Sequence, residues 1–103
     1  MKVGIIMAYE SKFKSEAIDD LFEAFISLEN QEECYRFFED LVTVKELQAM
    51  AQRWQVAKSL DEKQTYIEIE EKTGASAATI SRINRCMAYG SEGYKRMIDK
   101  MKK

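Results

Sequence analysis

An all-α fold of six helices is what this sequence predicts, and three observations predict it. The chain has no proline and only four glycines, so little in it breaks a helix. From Ser15 onward apolar residues recur at spacings of three and four, the period of a half-buried helix. No stretch alternates apolar with polar in the way a strand requires. A length of 103 residues fits one domain, expected here over residues 13–103. Residues 1–12 are weakly patterned and read as a flexible leader or a short added strand.

Each helix has its own justification. Ser15 can cap the first, which runs to about Leu28 with Ile18, Leu21, Phe22, Phe25 and Leu28 on one stripe. Asn30 and Glu33 start the second, whose inner side carries Cys34, Phe37, Phe38 and Leu41. Thr43 and Glu46 form a capping box at the head of a long third helix, to about Leu60, with Leu47, Met50, Trp54, Ala57 and Leu60 as its stripe. A second box, Thr65 with Glu68, opens the fourth helix, and Gly74 ends it, because only glycine enters the left-handed region cheaply. Ser76 can cap the fifth by accepting from the amide of Ala78 or Thr79. Tyr89-Gly90-Ser91 breaks the chain, and Ser91 is expected to cap a sixth helix bearing Tyr94, Met97, Ile98 and Met101.

Composition excludes several functions. With no histidine, Ser-His-Asp and Cys-His catalysis and the common zinc sites are absent. Glu32-Glu33, Glu39-Asp40 and Glu70-Glu71 are adjacent pairs, and neighbours on a helix point apart, so no carboxylate pair supports an enzyme. Neither a metal nor a cofactor is expected. Cys34 and Cys86 form no C-x-x-C and read as thiols of a reducing cytoplasm. No apolar run reaches the roughly 20 residues of a membrane helix, and the opening V-G-I-I-M-A lacks a signal-peptide cleavage pattern.

Charge is divided unevenly. Residues 1–75 hold 9 basic and 16 acidic side chains, whereas residues 76–103 hold 7 basic and 2 acidic. Basic charge confined to one segment is the footprint of a nucleic-acid contact. That segment begins with the fifth helix. Helices four and five, joined by a short turn at Gly74, have the form of a DNA-binding helix-turn-helix. Ile69, Ala75, Ile80 and Ile83 would seat the pair. Ser76, Ala77, Ala78, Thr79, Ser81, Arg82 and Arg85 would face double-stranded DNA, the small side chains at base edges and the arginines at phosphates. Lys95 or Arg96 would add a further phosphate contact. Such hairpins also serve as plain structure or dock on proteins, so the alternative is a protein-interaction module without specific DNA binding.

Five large apolar residues on the first helix and four on the second are more than a small monomer covers. A homodimer is the expected solution. It would also present two reading helices about 34 Å apart, one turn of DNA.

The run from Leu41 to Arg85, with L-V-T, Arg53 and T-G-A-S-A-A-T-I-S-R-I-N-R, resembles the Trp-repressor superfamily. With E-E-C-Y-R-F-F-E-D-L and Y-G-S-E-G-Y added, it resembles the YerC/YecD branch of Trp-repressor-related proteins, over about Lys14 to Ile98. The resemblance implies an intertwined homodimer that regulates transcription, with residues 65–73 supporting and Ala77 to Arg85 reading. It implies an effector pocket at Thr43, Arg53 and Arg82, where the repressor's two arginines sandwich an indole. Two positions depart from that pattern: Ile83 stands where the repressor has glycine, and Cys86 where it has serine. A branched side chain fills volume that an indole needs, and overpacking costs about 1–3 kcal/mol. The expectation is a nucleoid-associated repressor that does not answer to tryptophan, with any small-molecule effector unidentified.

Overall fold

The computed structural model describes residues 9–102, which form six helices and no strand. The leader expected over residues 1–12 lies mostly outside the described residues. Two compact units divide the chain, one ending at Asp40 and the other running from Leu41.

In the first unit, α1 (Glu16–Ile26) begins where Ser15 Oγ accepts the Ile18 amide at 3.1 Å. It ends two residues short of the expected Leu28, with the Ser27 hydroxyl donating to the Glu23 carbonyl. The second helix, α2 (Gln31–Leu41), begins where Asn30 Oδ1 accepts the Glu33 amide at 2.9 Å. Glu33 reaches back past the cap, accepting from the Glu29 amide at 2.8 Å. Both stripes converge on phenylalanine. Phe25 stacks on Phe38 with ring centroids 5.2 Å apart and meets Phe37 edge-on at 5.9 Å. Such ring pairs contribute about 0.5–1.5 kcal/mol beyond the area they bury. Yet no residue of α1 or α2 is fully buried, and Leu41, expected on the inner side, is exposed.

The second unit holds the core. Its helices are α3 (Val44–Asp61), α4 (Tyr66–Thr73), α5 (Ala77–Tyr89) and α6 (Gly93–Met101). Val56, Ala57, Ile69, Ala75, Ile80, Ile83 and Ile98 are buried together, with Trp54, Leu60, Met87 and Tyr94 packed around them. Three expected caps form as written. Thr43 and Glu46 close a full capping box, Thr65 and Glu68 close another, and Ser76 Oγ accepts the Thr79 amide at 3.2 Å.

Two expectations are corrected here. The buried residues of α3 are Val56, Ala57 and Ser59, while Leu47, Met50, Trp54 and Leu60 are only half-buried. One stripe does not describe α3 because it packs against α4, α5 and α6 at once. Ser91 does not cap α6; Glu92 occupies that position with φ 68°, and its side chain makes no capping bond. Gly90 sets this geometry. Its amide donates to the Cys86 carbonyl at 2.8 Å, and a Cβ there would lie 2.4 Å from that oxygen. The chain therefore leaves α5 on a path that puts the residue after Ser91 at the head of α6.

Lys102 Nζ lies 2.7 Å from Asp61 Oδ2 and links the ends of α6 and α3. This hydrogen bond holds the Asp61 carboxyl below its ordinary range and the Lys102 ammonium above its own. Among the described residues no helix is long and apolar enough to cross a membrane.

Candidate nucleic-acid interface

The turn between α4 and α5 is fixed by its own residues. Thr73 Oγ1 donates to the Ile69 carbonyl at 2.7 Å and accepts the Ala75 amide at 3.1 Å. Gly74 then takes φ 75°, the left-handed conformation that ends α4, and its amide donates to the Glu70 carbonyl. A Cβ at Gly74 would meet only Gln52 Nε2, at 3.9 Å, so conformation rather than space demands glycine here. Gln52 on α3 donates to the Thr73 carbonyl at 3.2 Å and ties the turn to the long helix.

Packing seats α5. Ile80 is 0 % and Ile83 2 % exposed. Burying each isoleucine contributes roughly 1.5–3 kcal/mol. A single N-cap contributes about 1 kcal/mol, so the isoleucines dominate and the cap trims the start.

With that face committed to the core, the rest of α5 is set. Ser76, Ala77, Ala78, Ser81, Arg82 and Arg85 are all exposed. Among the described residues no carboxylate pairs with Arg82 or Arg85, so both guanidinium groups are available to an anion. Two of the expected contacts look different in detail. Thr79 is half-buried, and its Oγ1 accepts from the Ser76 hydroxyl at 3.1 Å. The Ser76 hydroxyl is thus engaged in the cap as both donor and acceptor, while Thr79 keeps its own O–H to donate. The open donors at the head of α5 are the first-turn amides of Ala77 and Ala78, which have no intrahelical partner. On α6, Arg96 pairs with Glu92 at 3.2 Å, whereas Lys95 is exposed and without an ion pair among the described residues. Glu70 on α4 is exposed beside this surface and opposes an anion.

The model of the Trp repressor protein family matches residues 16–102. The chain belongs to the Trp repressor family. It is 50 % identical over 91 residues to the uncharacterized protein YerC of Bacillus subtilis (strain 168), covering 88 % of each chain. A TrpR-like protein from Eubacterium eligens ATCC 27750 superposes with a TM-score of 0.85 at 49 % identity, over 87 % of this chain and 93 % of the other. A candidate Trp repressor from Staphylococcus aureus gives 0.85 at 48 % identity, over 88 % and 91 %. The Trp repressor family is one of regulators rather than enzymes.

Within this family member the residues expected for an effector pocket are surface residues. Thr43 is occupied as a cap, accepting the Glu46 amide at 3.1 Å, and Arg53 and Arg82 are exposed. An open apolar cleft of about 440 Å³ does lie between α3, α5 and α6, but none of the three lines it. Trp54, Cys86, Tyr94 and Met97 do, and Trp54 stacks on Tyr94 with ring centroids 6.5 Å apart. Ile83 fills the core of the motif from within the chain.

Proposed function

We propose that the protein is a homodimeric, sequence-specific DNA-binding regulator of transcription, a repressor working on the bacterial nucleoid. One observation carries this reading: the solvent face of α5 combines short side chains in its first turns with two exposed arginines further on, which no carboxylate among the described residues pairs with. Ala77, Ala78 and Ser81 let the helix sit deep in a major groove, and an alanine methyl can touch a thymine methyl. Arg82 and Arg85 meet phosphates, with Lys95 adding charge.

Dimerisation is supported by the first unit, where Phe22 is 52 %, Ile26 77 % and Tyr35 62 % exposed. Apolar area of that extent calls for a partner, and a second copy is the commonest one. In this reading residues 13–103 work as a single domain whose dimer presents two copies of α5. Independence from tryptophan is supported by Ile83, whose branched side chain occupies the centre of the motif. The second reading, a protein-docking module, is favoured by the exposed carboxylates of Glu68, Glu70 and Glu71 on α4.

Retention of the purified protein on duplex fragments of its own genome separates the two. A regulator is retained in about 50 mM salt and loses affinity by orders of magnitude at about 200 mM. Failure to bind at low salt would leave the docking module as the better account.

A further inference from the structure

Where α4 meets α5 on the exposed side of the motif, one hydrogen bond joins their side chains. Asn84 Nδ2 on α5 donates to the Tyr66 hydroxyl oxygen on α4 at 3.4 Å. Both residues are exposed, and neither belongs to the core. Asn84 lies three residues after Ser81 and seven after Ala77, so it shares a flank of α5 with the short side chains. Tyr66 is the first residue of α4.

We infer that Tyr66 and Asn84 form an uncharged phosphate clamp at the seam of the two helices. The inference deepens the DNA-binding reading and rests on it. In a helix-turn-helix the first helix crosses the sugar-phosphate backbone while the second enters the groove. The flank where they meet is therefore the part of the motif nearest the phosphates that border the groove. The chemistry of the pair suits such a group. With Asn84 donating into the tyrosine oxygen, the phenolic O–H and the second amide N–H remain free, and a phosphate oxygen accepts both. Turning the amide over makes Tyr66 the donor to Oδ1 and leaves two amide N–H groups, so two donors remain in either orientation. Glu70, one turn after Tyr66, is exposed on the same helix, so the phosphate sits towards the Asn84 end.

An uncharged clamp has a signature that arginine contacts lack. Counterion release follows the number of cations brought to phosphate, so losing a neutral donor lowers affinity without changing its salt dependence. The test is the affinity of wild type, Tyr66→Phe, Asn84→Ala and Asn84→Asp for one selected duplex and one scrambled duplex, across a salt series. Each of the first two variants is expected to bind both duplexes about tenfold more weakly with an unchanged salt slope, and Asn84→Asp more weakly still. Tyr66→Phe keeps the ring and its packing, and an unchanged melting temperature verifies the fold. Variants that bind both duplexes like wild type would overturn the clamp while leaving DNA binding intact. A loss confined to the selected duplex would also overturn it, by making Asn84 a reader of bases. A wild-type protein that binds neither duplex would overturn the regulator reading and the clamp together.

Discussion

Arg82 and Arg85 are available because isoleucines hold the opposite face of their helix. Ile80 and Ile83 turn the helix so that both arginines point outward, and no carboxylate among the described residues has claimed them. Their removal therefore has a uniform effect. Arg85→Ala is expected to weaken binding to every duplex by roughly tenfold, the worth of one charge-assisted contact of about 1.5 kcal/mol, and to reduce the salt slope by about one. Ala77→Glu acts differently. A carboxylate in the first turn favours the helix dipole, so the fold survives, but it meets the floor of the groove with the wrong charge and specific binding is lost. Gel shifts in which both variants match wild type would contradict this placement of α5. At this scale much was legible, because Ser76, Gly74 and Thr65 act through neighbours three or four residues away. Thr79 was less so. A helical wheel places it beside the readers, but it is half-buried and its Oγ1 accepts from Ser76, and only coordinates reveal that contact. The Tyr66–Asn84 bond joins residues 18 apart, beyond any local pattern.

Elements follow a similar rule, and their joints are the less readable part. All six helices were legible from periodicity, and the Thr43 and Thr65 boxes closed as their spacing required. One stripe does not describe α3, because a helix packed on three others has no single inner face; Val56 and Ser59 are buried where a one-sided wheel leaves them out. The start of α6 differs from what the sequence predicts, with Glu92 rather than Ser91 at the cap. A serine after a glycine reads as a cap, but Gly90 lies so close to the Cys86 carbonyl that the chain needs two more residues to turn. This closeness is testable. Gly90→Ala places a methyl group 2.4 Å from a backbone oxygen, which cannot yield as a flexible side chain would. The expected cost is at least about 1 kcal/mol, or roughly 4–8 °C in the melting temperature of a domain this size. A thermal melt with no shift would show that the joint between α5 and α6 is looser than described.

For the whole molecule, the two units differ in what they leave unfinished. The second has a closed isoleucine-rich core and carries the helix-turn-helix; the first has a phenylalanine cluster with no fully buried residue. The excess of phenylalanine in the sequence predicts such an exposed apolar face. The charge division runs along the same chain, acidic through residue 75 and basic from residue 76, so the cationic surface begins with α5. A second copy of the chain would cover the apolar face and bring two such surfaces to one duplex, and a repressor needs that duplication to recognise an operator of two half-sites. Selection from random-sequence DNA with the purified protein tests this most directly. The expected product is a two-fold symmetric site whose half-sites are centred about 10 base pairs apart, or a multiple of that. Recovery of no enriched sequence, or of an asymmetric single half-site, would contradict the account.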